Sequence, residues 1–243
     1  MIRLITFDFW NTLFIDRDEE IRSEMRKSFA LARLRRYKRR LRKDEVDHAF
    51  QAAQDEFEQQ WQRYTASRME VYVSTICREL KIEVKPDDHK EIVDFFETVL
   101  LTHQPVLVPS AAVAIQSAKS RMKVGLVCDT GFSPGTTLRK IMDANGIASY
   151  FDSFSFSNET GYLKPRIETF GRVLNDLRIR PEEAVHIGDL EHTDIAGAKR
   201  IGMKAIKFIG ANHSATRESI ADIVLERLSD LPSALDRLQY NKG

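Results

Sequence analysis

Short apolar strands alternate with amphipathic helices from Pro105 onward, and this alternation constrains the fold more than any other feature. Continuous apolar runs such as residues 124–128 are typical of strands buried on both faces of a parallel sheet. We predict further strands at residues 153–156, 184–187, 204–208 and 223–225. We predict helices at residues 110–120 (capped by Ser110), 136–145, 167–177, 194–201 and 231–238. The pattern predicts an α/β fold, a Rossmann-like parallel sheet with helices on both faces.

A long helical block separates the first strand from this alternating part. An apolar strand at residues 2–7 opens the chain, and from about Asp16 to Gln104 the periodicity is helical. One helix is marked by apolar residues at three- and four-residue spacing, namely Val46, Phe50, Ala53, Phe57, Trp61 and Tyr64. Three further helical segments start near Ile21, near Met69 and after Pro86. We therefore predict a core built from residues 1–15 and 105–243, with a helical insertion at residues 16–104.

Acidic side chains follow two of the predicted strands. Asp8 ends the first strand, and the strand at residues 184–187 runs into Gly188 and Asp189, with Asp194 five residues later. Open α/β sheets place their chemistry at the carboxyl ends of parallel strands, so these acids are placed to converge on one cation. Lys164, which lies between them in the chain, offers one positive charge.

These motifs resemble those of the haloacid dehalogenase (HAD) superfamily, and the resemblance covers nearly the whole chain. Its three parts here are Asp8-Phe9-Trp10-Asn11-Thr12, Lys164-Pro165, and Gly188-Asp189 followed by Asp194. The resemblance implies that the helical insertion is a cap over an active site. It also implies that the protein is a hydrolase. We interpret it as a phosphatase that acts on a small phosphorylated substrate.

The resemblance implies a role for each motif residue. Asp8 would attack phosphorus and form an aspartyl-phosphate, which splits one difficult displacement into two. Mg²⁺ would be held by Asp8, Asp189 and the backbone carbonyl of Trp10, with Asp194 acting directly or through water. The ammonium of Lys164 would offset the negative charge gathered by Asp8 and the phosphoryl group.

The family also has a strand that ends in a hydroxyl residue, which holds a phosphoryl oxygen. That position falls on Cys128, whose thiol is a weaker donor, while Thr130 supplies a hydroxyl if the loop is shifted. Asp129 brings a negative charge near the phosphoryl group, which is unfavourable unless the carboxyl is protonated or turned away. The sequence leaves the choice between Cys128 and Thr130 open. For Cys128, a purely structural role as a small buried residue is at least as well supported as phosphoryl binding.

Trp10 stands where the family's phosphatases have a second Asp, which protonates the leaving alcohol and then activates water. Indole can do neither. Either the leaving group needs no proton, as in an acyl phosphate or diphosphate, or another carboxylate substitutes, with Asp129 the nearest candidate. The family's dehalogenases and phosphonate hydrolases also lack the second Asp. The retained Asp189 and Asp194 argue against a metal-independent dehalogenase, and no lysine of the insertion is marked out for the Schiff base of a phosphonate hydrolase.

A basic stretch opens the helical insertion. Between Arg22 and Lys43 there are 11 Lys or Arg residues and one acid, Glu24. The interpretation that we favour is a solvated helix face, balanced by the acidic stretch that follows. The alternative is a catalytically weak HAD-like protein that binds an anionic partner here, such as a large phosphorylated substrate or nucleic acid.

Composition and motif absences disfavour several other classes. The net charge of +1 gives no global attraction to nucleic acid or membrane, and two distant cysteines predict no disulfide framework. No secretion signal and no run of about 18 apolar residues appear, so we predict a cytoplasmic protein without a membrane span.

The tripeptides Asn158-Glu159-Thr160 and Asn212-His213-Ser214 are interpreted as chance glycosylation matches. The long insertion disfavours a receiver domain, and the lack of Gly-x-Gly-x-x-Gly disfavours a dinucleotide-binding fold.

Overall fold

The structure has eight strands, β1 (Leu4–Phe7), β2 (Phe14–Ile15), β3 (Val106–Leu107), β4 (Lys123–Cys128), β5 (Ser153–Phe156), β6 (Ala184–Gly188), β7 (Lys204–Phe208) and β8 (Ile223–Leu225), in the residues that it describes. Six of them form the central parallel sheet, in the order β5-β4-β1-β6-β7-β8. The structure is a computed structural model that describes residues 1–211 and 216–240, so the tripeptide Asn212-His213-Ser214 lies outside the described residues. The predicted α/β fold is confirmed.

Helices cover both faces of this sheet. The α-helices of the described residues are α1 (Glu19–Leu34), α2 (Lys43–Gln62), α3 (Met69–Glu79), α4 (Pro86–Thr98), α5 (Ala111–Lys119), α6 (Gly135–Ala144), α7 (Ser157–Thr160), α8 (Ile167–Leu177), α9 (Ala196–Ile201) and α10 (Leu231–Tyr240). One apolar cluster joins α5, α6 and α10 to the sheet, and another joins α8 and α9 to it. Within the described ranges, every helix is too short or too polar to cross a membrane.

Ser110 corrects one detail of the sequence analysis. It precedes α5 at the predicted N-cap position, but its side chain makes no capping hydrogen bond. Its φ of 65° puts it in the left-handed region, whereas a capping residue usually has an extended backbone. The predicted cap is therefore wrong, although the helix itself begins where the sequence pattern placed it.

The central strand β1 sets the position of Asp8. All four residues of β1 are buried, because strands flank both of its edges and helices cover both faces. Phe7 lies opposite Leu126 of β4, and β6 pairs with the other edge of β1. The carboxyl ends of the three strands therefore meet at one edge of the sheet, where the chain turns into loops at Asp8, Asp129 and Asp189.

The helices α1–α4 form a separate layer with an apolar cluster of its own. This cluster includes Leu34, Val73 and Phe96, each at most 1% exposed. The short strands β2 and β3 pair antiparallel where the chain leaves the core and returns to it. Two residues per strand are too few for an alternation pattern, and the sequence analysis did not predict this pairing. The pairing lies at the expected limits of the insertion, and the division into domains stays a prediction.

Most of the basic stretch between Arg22 and Lys43 is paired within the protein. Eight of its 11 Lys and Arg side chains make ion pairs. Arg22 itself is fully buried, contacts Asp16, and donates to the His103 carbonyl at 2.9 Å. This pairing fits a balanced helix face better than a free cationic surface, and binding of nucleic acid there stays a prediction.

Candidate active site

Three carboxylates and one ammonium group meet at the carboxyl edge of the sheet. One oxygen each from Asp8, Asp189 and Asp194 lies within 4.8 Å of the other two. The Lys164 ammonium contacts the Asp8 carboxylate and lies 2.6 Å from Asp194 Oδ1. All four residues are at most 4% exposed. The structure thus brings together four of the residues that the sequence analysis assigned to one site.

Neighbouring strands place the first two carboxylates. Asp8 follows β1 directly, and its N–H continues the sheet pairing by donating to the Ile187 carbonyl at 2.9 Å. Asp189 follows β6 in the same way. Because β1 and β6 are parallel neighbours, both side chains leave the sheet at the same edge. Lys164 reaches this edge from the loop between α7 and α8.

A π-helical turn, Glu191–Ile195, carries Asp194 back to the end of β6. Asp194 Oδ2 accepts the Leu190 N–H at 3.0 Å. A Cβ added at Gly188 would lie 2.3 Å from Asp194 Cγ, so only glycine lets the carboxylate approach the strand so closely. The N-cap position of α9 is Ile195, so Asp194 does not cap this helix.

The charges of this site are unbalanced, since three carboxylates face one ammonium. Burial opposes the charge on Lys164, but Asp194 and Asp8 outweigh it and raise the pKa of Lys164 well above its usual value. Burial favours the neutral form of Asp194, but Lys164 and His186 outweigh it and hold the pKa of Asp194 below its usual range. For Asp8, burial and the neighbouring carboxylates outweigh Lys164 and raise the pKa.

This donor set fits a hard divalent cation. Buried carboxylate oxygens are the ligands that Mg²⁺ prefers, and its two positive charges would offset the two surplus negative charges. The family resemblance implies one further metal ligand, the backbone carbonyl of Trp10, which lies in the loop after β1. The Trp10 ring is half-buried and packs edge-on against Phe9, with ring centroids 4.8 Å apart. The residues present could therefore hold Mg²⁺ at the end of β1 and β6.

A buried histidine that the sequence analysis did not single out supports Asp194. His186 lies in β6, with Nε2 3.1 Å from Asp194 Oδ1 and Nδ1 2.8 Å from Thr6 Oγ1. A carboxylate only accepts hydrogen bonds, so Nε2 carries the proton and the Thr6 hydroxyl donates to Nδ1. Burial lowers the pKa of His186, in keeping with this neutral ring. The available signal was a polar ring inside an otherwise apolar strand.

The loop after β4 holds the residues predicted to bind a phosphoryl group. Cys128 ends β4 and is buried, and burial reinforced by nearby carboxylates raises the pKa of its thiol, so the thiol is neutral. Thr130 is held against Ser157. The Thr130 N–H donates to Ser157 Oγ at 3.0 Å, and the two hydroxyl oxygens are also 3.0 Å apart. Asp129 Oδ1 accepts the backbone N–H of Lys164 at 3.1 Å.

A cavity of about 270 Å³ opens beside these residues. Its wall includes Trp10, Asp129 and Thr130 from the sheet side, and Arg26 and Trp61 from the helical insertion. Aromatic rings with a few polar groups are typical of small-molecule sites. The cavity therefore joins the predicted catalytic edge of the sheet to side chains of the insertion that the sequence analysis did not assign to a site.

Phe132 links the loop after β4 to the helical insertion. Its ring centroid lies 5.1 Å from that of Phe57 and 5.2 Å from that of Tyr72. The Arg26 guanidinium lies over the same ring at 4.7 Å. The insertion thus contacts the loop that carries the predicted phosphoryl-binding residues.

Sequence comparison decides the family to which this arrangement belongs. Residues 2–202 match the sequence profile of the haloacid dehalogenase-like hydrolases. The chain belongs to this family. The resemblance noted from the motifs is confirmed, and the HAD fold is also found in the solved structure of 2-haloacid dehalogenase from Pseudomonas syringae pv. tomato DC3000. That structure has a TM-score of 0.74 and 22% identity, and the match covers 98% of this chain and 99% of that one.

Two curated relatives of this HAD chain have phosphatase names. Glyceraldehyde 3-phosphate phosphatase of Pyrococcus furiosus is 29% identical over 94 residues, which are 39% of this chain and 39% of that protein. Pyrophosphatase PpaX of Bacillus thuringiensis is 29% identical over 147 residues, which are 60% of this chain and 61% of that protein. The matched part of this chain therefore spans less than two thirds of either relative.

Proposed function

We propose that the protein is a Mg²⁺-dependent phosphohydrolase that forms an aspartyl-phosphate on Asp8. The observation that carries the proposal is the contact between the Asp8 carboxylate and the buried Lys164 ammonium, inside the carboxylate cluster. The phosphatase names of two relatives support a small phosphorylated substrate. Asp189 and Asp194 complete a carboxylate cluster that suits a divalent cation, which supports metal-assisted phosphoryl transfer over metal-independent halide displacement.

In this mechanism Asp8 supplies the attacking oxygen. Lys164 donates a hydrogen bond to Asp8, and its charge offsets the charge on the phosphoryl oxygens as the new bond forms. Asp194 holds the same ammonium at 2.6 Å, and His186 in turn holds Asp194. The ammonium is therefore positioned before the substrate enters, so little reorganisation is needed at the moment of reaction.

The proposed metal ligands are Asp8, Asp189, the carbonyl of Trp10, and Asp194 directly or through water. The buried carboxylate cluster supports this set. When bound, Mg²⁺ would offset negative charge on the phosphoryl group and orient it toward Asp8.

The loop after β4 provides the proposed contacts to the phosphoryl oxygens. Thr130 lines the cavity, and its hydroxyl oxygen lies 3.0 Å from Ser157 Oγ, which holds the side chain in place. This placement supports Thr130 over Cys128 as the hydrogen-bond donor, because the Cys128 thiol is buried in the apolar cluster and is a weaker donor.

The helical insertion, residues 16–104, is the proposed cap. Arg26 and Trp61 complete the cavity wall from this side, which supports a role in excluding water and selecting substrates. The volume of about 270 Å³ supports a small substrate.

Hydrolysis of a substrate panel, with and without Mg²⁺, tests this function. The panel contains phosphate monoesters, an acyl phosphate, inorganic pyrophosphate, a phosphonate and 2-chloropropionate. We expect Mg²⁺-dependent phosphate release that falls by about 10³-fold or more in Asp8→Asn. Asp143→Asn, at an exposed carboxyl of α6, is the matched control and should retain full activity. Full activity in Asp8→Asn, or halide release without phosphate release, would contradict the proposal.

A further inference from the structure

The proposed reaction lacks a proton donor at Trp10. An alkoxide leaving group needs a proton, and indole cannot provide one at neutral pH. Any substitute must reach the cavity that Trp10 lines. The carboxyl groups on the wall of this cavity are Asp16, Glu19 and Asp129.

Two of these three carboxyl groups form ion pairs with arginine side chains. Arg22 contacts Asp16 and donates to Glu19 Oε2 at 3.0 Å. Arg26 donates to Glu19 Oε1 at 3.0 Å. Asp16 and Glu19 therefore serve as the charge partners of two buried arginines at the start of the insertion.

Asp129 differs from both, since it makes no ion pair with any residue in the ranges 1–211 and 216–240. The backbone N–H of Lys164 fixes its Oδ1 at 3.1 Å. Phe7 lies opposite Leu126, so Asp129 is two residues beyond the level of Asp8, up to about 7 Å farther along the strand direction. Asp129 and Trp10 thus line one cavity, beside the end of the strand that carries Asp8.

We infer that Asp129 is the proton-transfer group of this site, an assignment that rests on the proposed phosphohydrolase function. In the first step the Asp129 carboxyl gives its proton to the leaving oxygen. The bond from that oxygen to phosphorus breaks as the bond from Asp8 to phosphorus forms. In the second step the Asp129 carboxylate takes a proton from water, whose oxygen bonds to phosphorus as the bond to Asp8 breaks. One water is consumed, and Asp129 returns to its protonated form.

The surroundings of Asp129 suit a carboxyl that changes its charge near neutral pH. Burial raises the pKa of Asp129 to about 6, Lys164 opposes this rise, and Asp194 adds to it. The other charged or titratable groups at the cavity and the strand ends are Asp8, Asp16, Glu19, Arg26, Cys128 and Asp189. A carboxyl with this pKa is a better match to both proton transfers than one with the usual value near 4.

The test compares Asp129→Asn with the wild type on two phosphate monoesters, one with an alkyl and one with a nitrophenyl leaving group. The value of kcat/KM reports the steps up to release of the alcohol. We expect it to fall about 10²–10⁴-fold for the alkyl ester and to stay within about threefold for the nitrophenyl ester, which leaves without a proton. The phosphoenzyme of the variant then lacks a base, so a burst of nitrophenolate should precede slow turnover.

The wild type provides a second readout that needs no variant. The ratio of kcat/KM for the alkyl ester to that for the nitrophenyl ester should fall as the pH rises above about 6, because Asp129 loses its proton. The second pKa of the phosphate group is measured for each ester, and the ratio is corrected for the two ionisations. In Asp129→Asn, which keeps an oxygen for the Lys164 N–H, the ratio should stay flat. Asp143→Asn is again the matched control and should follow the wild type.

Two kinds of failure are distinguishable. Equal losses on both esters, no loss on either, or a flat wild-type ratio would overturn the role of Asp129 while Asp8-dependent hydrolysis stands. If the wild type shows no Asp8-dependent hydrolysis of any ester, the proposed function and the assignment of Asp129 are both overturned. Unfolding midpoints of the variants show whether a loss of activity reflects a loss of fold.

Discussion

The Lys164 ammonium lies 2.6 Å from Asp194 Oδ1, and both side chains are at most 3% exposed. The same ammonium contacts Asp8, so one cation serves two buried carboxylates. Removing one partner of a buried ion pair is costly, because the remaining charge has neither water nor a counter-charge. The position of the proposed nucleophile is thereby coupled to the acids of the last motif.

Lys164→Met should remove activity and stability together. Methionine has a similar length but no charge, so the carboxylates would lose their ammonium partner. We expect kcat/KM to fall by about 10²–10³-fold. The free energy of urea unfolding should fall by about 3–5 kcal/mol in metal-free buffer. Lys140→Met, at an exposed position of α6, should change neither quantity. Wild-type turnover in the Lys164 variant would show that this ammonium takes no part in the reaction.

Asp8→Asn should stabilise the metal-free protein although it abolishes activity. Burial and neighbouring carboxylates raise the pKa of Asp8, so its charged form is disfavoured in the folded state. The contribution of Asp8 to stability is therefore full below the pKa of about 3.9 that Asp8 has in the unfolded chain. It declines as the pH rises from there through the raised pKa of the folded state. Asparagine carries no charge and still accepts a hydrogen bond from Lys164.

Thermal unfolding of this variant at neutral pH, with and without Mg²⁺, checks the assigned charge state. The Tm of Asp8→Asn should exceed that of the wild type in metal-free buffer, and each kcal/mol shifts the Tm by about 2–4 °C in a chain of this size. Mg²⁺ should raise the Tm of the wild type more than that of the variant. A variant with the lower Tm in metal-free buffer would be the opposite of this expectation.

His186 should make the wild type sensitive to mild acid. Burial lowers its pKa, so the unfolded chain binds the proton first, and the contribution of His186 to stability is lost as the pH falls below about 6.5. His186→Leu leaves Thr6 and Asp194 without this partner and should cost about 1–3 kcal/mol. His186→Gln keeps an N–H for Asp194 and should recover part of the loss.

Urea unfolding from about pH 7.5 to about pH 5 measures this contribution, since the difference in stability between wild type and His186→Gln should shrink as the pH falls. A difference that is constant over this range would show that the histidine is not held neutral.

Strand ends made most of this site predictable. Asp8 and Asp189 follow short apolar strands, and parallel neighbours bring such positions to one edge whatever the intervening chain does. Lys164 was predicted only through the family motif, because no periodicity indicates where a loop residue will point. The position of Asp194 depends on a π-helical turn that a helical pattern does not distinguish from an ordinary first turn.

Contacts between separate parts of the chain were not predictable. Helical periodicity marks Phe57 as apolar, but it does not say that Phe132 from the loop after β4 will cover it. The choice between Cys128 and Thr130 likewise depends on the path of a loop. His186 carried a signal in its apolar strand, but its partner Thr6 lies 180 residues away, and only the pairing of β1 with β6 reveals the contact.

Chemical trapping of the intermediate tests the central claim most directly. The protein is mixed with Mg²⁺ and its best phosphate monoester, quenched in acid, and reduced with borohydride, which converts an aspartyl-phosphate to homoserine. Peptide mass spectrometry then locates the modified residue. We predict homoserine at position 8 in the wild type, and none without substrate or in Asp8→Asn. Phosphate release with an unmodified Asp8, or modification of another residue, would contradict the account.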